Sequence, residues 1–179
     1  MIKVGIVIGS TRPGRLGAGV ADWVHGIAMA RGDAKYELVD LVDAGLPQLD
    51  EPVPALMSGG YTQPHTMRWS ATVAAYDAFV FVTPEYNRSM PGSLKTAIDF
   101  LYAEWTGKSA AFVSYGIEGG VRAVEHLRAV TAAVGLTGAL HQVTLTLRDD
   151  FTDGVLQPRA HQADALATVL DEVVAPHPG

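Results

Sequence analysis

The chain contains no cysteine. That excludes disulfide frameworks, cysteine-bound zinc, iron–sulfur clusters and thiol nucleophiles, and it suits a cytoplasmic protein. Basic residues are scarce, with 13 Lys plus Arg against 19 Asp plus Glu, a formal charge of −6. A field of that sign argues against nucleic acid or an anionic membrane surface as a partner. No apolar run approaches the roughly 20 residues that cross a bilayer. Met1 to Gly9 is short and is followed at once by Ser10, Thr11 and Arg12, so it reads as a strand and not as a targeting segment. Internal repeats, low-complexity tracts and long linkers are missing too. Histidines 25, 65, 126, 141, 161 and 177 show no two-on-one-face spacing for a metal, and there is no G-x-S-x-G elbow. What remains is a 179-residue chain, 48% hydrophobic, that reads as one domain over residues 1–179. At that length folding buries roughly 70% of the unfolded surface, so no covalent or metal staple is required.

Ile2 to Ile8 is almost continuously apolar and rich in Val and Ile, as a strand buried on both faces of a parallel sheet must be. Tyr36 to Val42, Ala78 to Thr83, Ser109 to Ser114 and Ala139 to Leu147 repeat the pattern. In the last, Val143, Leu145 and Leu147 alternate as in a half-exposed edge strand. Helical stripes lie between them. Leu16, Val20, Trp23, Val24 and Ile27 share one face, as do Leu94, Ile98 and Leu101. So do Val121, Val124, Leu127, Val130 and Val134, and finally Leu166, Leu170, Val173 and Val174 before Pro176. A weaker helix spans about His65 to Ala75, after Pro64. Strand and helix therefore alternate through five strands. That order implies an α/β fold, a flavodoxin-like doubly wound parallel sheet of order 2-1-3-4-5 with helices on both faces. A ligand then belongs beyond the carboxyl ends of the strands.

Three unusual segments fall there. Gly9 to Gly17 follows the first strand and offers open amides, the Ser10 and Thr11 hydroxyls and the charges of Arg12 and Arg15. An anion fits it. The segment has neither Lys-Ser/Thr after its second glycine nor a G-x-G-x-x-G, so a monophosphate is the remaining ligand, and an ordinary glycine-rich turn is the alternative. Thr83 to Ser93 is stiffened by Pro84 and Pro91. Its Tyr86 can cover a flat ring, and the amides at Asn87 and Arg88 can reach ring heteroatoms; a rigid surface loop with Ser93 capping the next helix is the alternative. Ser114-Tyr115-Gly116 with Gly119-Gly120 lets backbone approach a planar ligand, or simply needs positive φ.

Pro84-Glu85-Tyr86-Asn87 followed by Pro91-Gly92-Ser93-Leu94-Lys95-Thr96-Ala97-Ile98-Asp99-Phe100-Leu101 resembles the signature of the NADPH-dependent FMN reductases, a family that includes quinone, azo-dye and chromate reductases. Gly9-Ser10-Thr11-Arg12 and Ser114-Tyr115-Gly116 are similar to its other motifs, and the likeness spans nearly the whole chain. The resemblance implies a bound FMN. Its phosphate would meet Ser10, Thr11, Arg12, Arg15, Leu16 and Gly17, and its ring Pro84, Glu85, Tyr86, Asn87, Ser114, Tyr115 and Gly116, with Arg88 helping to orient the ring edge. Many members carry Ser and Asn where this chain has Arg15, Leu16 and Gly17. The activity implied is hydride transfer from NADPH or NADH to FMN and onward to a small-molecule electron acceptor. No acid/base dyad is then required, because the cofactor carries the chemistry. A flavodoxin-like electron carrier without a nicotinamide site and a non-catalytic fold relative are the competing readings.

Two further expectations concern association. Leu94, Ile98, Leu101, Tyr102 and Trp105 give one helix more apolar surface than a sheet face needs, which predicts a homodimer or homotetramer through that helix and the one after Gly120. The proline-rich stretch from Ala44 to Gln63 is either an overhang onto a neighbouring subunit or a surface excursion.

Overall fold

The computed structural model describes residues 1–175, so Pro176 and His177 lie outside the described residues. Four parallel strands carry the fold: β1 (Lys3–Ile8), β2 (Lys35–Asp40), β3 (Ala78–Pro84) and β4 (Ser109–Gly116). They lie in the order β2-β1-β3-β4, and β5 (Thr137–Gly138) and β6 (Val143–Thr146) both pair parallel to β4. The fifth position of the expected sheet is thus occupied by two pieces of one interrupted edge strand. One arginine spans the interruption. The Arg128 guanidinium donates to the carbonyls of Ala139, Leu140 and His141 and lies 4.6 Å from the Phe112 ring centre.

Alternation along the strands divides the core. Val4, Ile6 and Ile8 of β1, Val80 and Val82 of β3, and Val113 of β4 face an aliphatic layer beneath α1 (Gly17–Met29) and a C-terminal helix (Ala160–Val174). Val7, Phe79, Phe81 and Phe112 face the other way, onto an aromatic layer. There Phe79 meets Trp105 edge to face at 4.9 Å. That layer lies under a helical turn α2 (Leu41–Ala44), α3 (Pro64–Ala74), α4 (Gly92–Asp99) and α5 (Val121–Ala133). The C-terminal helix is α6.

Three boundaries differ from the periodicity. Asp40 ends β2 because its carboxylate accepts from the Val42 amide at 2.9 Å and caps α2, so Leu41 and Val42 are helical. The stripe from Leu94 to Trp105 is not one helix, since α4 stops at Asp99. Beyond it Trp105 folds into the core and donates to the Ile98 carbonyl at 3.1 Å, while Trp69 takes the Ala97 carbonyl at 2.8 Å. Leu94, Ile98, Leu101 and Trp105 are buried within the chain and Tyr102 is partly exposed, so most of the apolar surface expected for an interface on this stretch is used inside the fold. Lastly, a hairpin of β7 (Phe151–Thr152) and β8 (Val155–Leu156) precedes α6, turned by Asp153 and Gly154 at positive φ.

The segment from Gly45 to Gln63 is anchored by Glu51. Its carboxylate accepts from the amides of Thr62 at 3.0 Å and Gln63 at 2.9 Å, where α3 begins. Burial pushes the Glu51 carboxyl up, and these bonds overcome it, bringing it down to about 2.

Candidate active site

The three segments singled out by sequence converge at the carboxyl edge of β1, β3 and β4, and hydrogen bonds lock them together. Gly9 donates to the Val82 carbonyl at 2.9 Å, and the Ser93 hydroxyl donates to the Gly9 carbonyl at 2.9 Å. Ser93 therefore acts as a clasp between loops and not as a helix cap, the cap position being Pro91. Ser10 Oγ and the Tyr86 hydroxyl share a hydrogen bond of 2.7 Å. Glu85 donates its amide to the Tyr115 carbonyl at 3.0 Å.

Between these loops lies a cleft of 230 Å³. Arg12, Arg15 and Leu16 wall it from the first segment, Pro84, Glu85 and Tyr86 from the second, and Tyr115 and Gly116 from the third. Gly14, Ile117 and Leu147 complete it. None of those three was named from sequence as a ligand contact. Leu147 is the last residue of the alternating Val143, Leu145, Leu147 set, brought to the cleft when its amide bonds the Gly116 carbonyl at 2.9 Å. Ile117, 84% exposed, is an apolar side chain on a glycine-rich turn, which is a readable signal.

Other expected residues stand back from the cleft surface. Ser10 and Ser114 are fully buried, Ser10 against Tyr86 and Ser114 donating to the Gly119 carbonyl at 2.6 Å. Thr11 faces a separate groove of 540 Å³ between the Gly45–Gln48 stretch and α4. Gly17 lies under the Tyr115 hydroxyl, where a β-carbon would stand 2.7 Å from that oxygen. Asn87 and Arg88 line the adjoining rim with Glu85 and Ile117. Both adopt positive φ, 49° and 69°, in a two-residue turn closed by Tyr86 and Ser89. Non-glycine residues held there store strain of order 1–3 kcal/mol each, a cost the folded surroundings must sustain.

Electrostatics separates the two arginines. Arg15 is paired with Asp40 at the end of β2, so its charge is compensated within the fold. Arg12 is exposed, and among the described residues no carboxylate pairs with it. The start of α1 is similarly open: its cap, Leu16, offers no side-chain acceptor, and the first turn holds no acidic residue. Among the described residues the amides of Thr11, Gly14 and Leu16 find no acceptor. By contrast, Glu85 already accepts from the Arg122 amide at 3.1 Å, so its carboxylate caps α5. Burial, and next the neighbouring Tyr86, hold the Tyr115 phenol above the ordinary tyrosine range, so it remains a neutral donor at the cleft wall.

Sheet order and loop convergence define a flavodoxin-like protein whose carboxyl edge presents the uncompensated start of α1. The sequence model of the NADPH-dependent FMN reductases matches residues 2–148, and the chain belongs to that family. An NAD(P)H-dependent FMN reductase of a Nectria species is 43% identical over 128 residues, 69% of this chain and 64% of that protein, so the match spans under two thirds of the relative. One from Schizosaccharomyces pombe is 40% identical over 158 residues, 87% of this chain and 79% of its own. Among solved structures, an NAD(P)H:(acceptor) oxidoreductase of Paracoccus denitrificans superposes with a TM-score of 0.73 at 22% identity, covering 97% of each chain. That likeness supports the fold. Among the described residues no helix is long and apolar enough to cross a membrane.

Proposed function

We propose that the protein is an NAD(P)H-dependent FMN oxidoreductase delivering electrons to a small acceptor. The observation that carries this reading is the open start of α1 beside an unpaired Arg12, at one end of a cleft walled by two tyrosines. FMN is the ligand that needs both ends. A phosphate dianion satisfies the amides of Thr11, Gly14 and Leu16 and the Arg12 charge, favoured further by the dipole of α1. Pro84, Glu85, Tyr86, Tyr115 and Gly116 frame a ring. Ser10 acts indirectly, holding Tyr86 by its hydroxyl, and Gly17 permits Tyr115 its place. Asn87 and Arg88 orient the ring edge through the amides of their strained turn.

Bound FMN supplies the hydride acceptance and donation, so the chain need only position and shield. Ile117 and Leu147 give the cleft wall an apolar stretch against which nicotinamide and acceptor stack in turn. Steady-state rates with NADPH and a quinone are therefore expected to give parallel double-reciprocal lines. Intersecting lines, together with a complex holding both substrates, would show that this stretch is not shared.

Work in the cytoplasm as a homodimer or homotetramer belongs to the same proposal. In place of α4, the support for association is the exposed apolar set Leu49, Val53, Leu56 and Met57, all within one stretch of the chain; Leu56 and Met57 are 65% and 76% exposed. Light scattering is expected to give a dimeric or tetrameric mass with and without FMN, and a monomeric mass would exclude it.

A further inference from the structure

The second segment turns through Asn87 and Arg88, both at positive φ, in a two-residue turn for which Asn-Gly is the usual pair. An arginine there stores strain that contacts elsewhere must offset. The backbone pair of Tyr86 and Ser89 closes the turn at 2.8 and 3.1 Å, but Asn87 and Arg88 are themselves exposed. Arg88 reaches Glu118 at 3.2 Å, and those side chains are 61% and 60% exposed, so that pair holds the turn weakly.

A stronger hold comes from α5. Its Arg122 amide donates to the Glu85 carboxylate at 3.1 Å, just before the turn, and its His126 Nδ1 shares a hydrogen bond of 3.0 Å with the Ser89 hydroxyl, just after it. Arg122 and His126 are four residues apart, so they lie on one face of the helix. The helix thus grips the turn from both sides. It is a rigid support, since Ala123, Val124 and Leu127 are fully buried and Arg128 is fastened to the carbonyls of Ala139, Leu140 and His141. His126 itself is exposed and adds nothing to the core. Among the described residues its side chain hydrogen-bonds to Ser89 alone.

We propose that His126 is a positioning residue: by holding Ser89 it fixes the Asn87–Arg88 turn in the conformation that presents the turn's amides to the flavin ring edge. It thereby sets the rate of flavin reduction without touching the reacting atoms. The inference rests on the oxidoreductase reading given above. Transfer between bound groups is sensitive to placement, and a displacement of about 1 Å caused from a distance can cost roughly a hundredfold in rate. A turn released from α5 can relax toward the negative φ that asparagine and arginine prefer, and its amides then point elsewhere. The open amides at the start of α1 belong to a different loop, so the rate depends on the His126 tether far more than FMN affinity does.

The test compares His126→Leu, Ser89→Ala, the double variant and His126→Asn, whose amide can place a polar atom where Nδ1 stands. Without flavin, hydrogen exchange at the Tyr86 and Ser89 amides should quicken at least about tenfold in His126→Leu and in Ser89→Ala. The melting temperature should move by under about 2 °C, because the bond lies on the surface. With FMN bound, the limiting rate of flavin reduction by NADPH in a single turnover should fall about tenfold in both variants, and the flavin absorbance bands should shift. FMN affinity should change by less than about threefold, the phosphate contact being independent of the turn. The double variant should lose no more than either single one, since both remove the same bond, and His126→Asn should keep the unmodified rate and spectrum. Quicker exchange with an unchanged reduction rate and spectrum would overturn the proposal, leaving His126 a surface tether. Unchanged exchange, losses that add in the double variant, or a loss in His126→Asn equal to that in His126→Leu would overturn it too. Failure of the unmodified protein to take up FMN, or to be reduced by NADPH or NADH, would instead strike the oxidoreductase reading, while the exchange measurement would still judge the hold of His126 on the turn.

Discussion

Arg12→Ala is expected to weaken FMN binding by about 1.5 to 3 kcal/mol, roughly ten- to hundredfold, while riboflavin affinity stays nearly constant. The two flavins differ by one phosphate, so the difference between their losses isolates the anion contact. Arg12 is the arginine to choose because it is exposed and, among the described residues, unpaired, whereas Arg15 is neutralised by Asp40. Its charge is therefore available to the ligand at little internal cost. Fluorescence titration of both flavins against both proteins gives the four affinities needed. An equal fall for FMN and riboflavin would mean that Arg12 shapes the loop and does not meet a phosphate.

Gly120→Ala should lower the stability of the chain by about 2 to 4 kcal/mol, a melting decrease of roughly 5 to 15 °C for a protein of this size. Two penalties coincide there. Gly120 has φ of 73°, and a β-carbon would stand 2.8 Å from Ser114 Cβ and 3.0 Å from the Tyr115 amide nitrogen. The Ser114 wall cannot retreat, since it belongs to β4 in the middle of the sheet. Gly14→Ala is the natural control. Its φ is 70°, but nothing lies within 4 Å of the added carbon, so only the left-handed penalty of about 1 kcal/mol applies. Equal melting shifts for the two variants would show that the crowding at Gly120 relaxes at no cost.

Much of this architecture can be read from residue order because β1, β3 and β4 are buried on both faces, and burial on both faces writes an uninterrupted apolar run. The edges are harder. Leu41 and Val42 look like strand until Asp40 is seen to cap a helix, and the stripe through Trp105 marks core without marking helix, because a buried turn can keep the same spacing. The break between β5 and β6 depends on Arg128 reaching three carbonyls across the gap, a contact that no local pattern encodes. The Asp153-Gly154 turn is a readable hairpin signal, weakened by strands of only two residues. In the site, the three segments singled out by sequence meet at one cleft, but the hydrogen-bond partners within them are not legible there. That Ser10 holds Tyr86, that Glu85 caps α5 and that Ser114 turns inward follow from which partner each group meets across the sheet edge.

The visible spectrum of the purified protein, titrated with FMN and then with NADPH or NADH under anaerobic conditions, tests the central claim most directly. Stoichiometric uptake of FMN, rapid loss of the oxidised-flavin bands on adding the nicotinamide, and their return on adding a quinone are the predicted result. Protein that takes up FMN but is bleached by neither nicotinamide would identify an electron carrier, and protein that takes up no FMN would contradict the account from its first step.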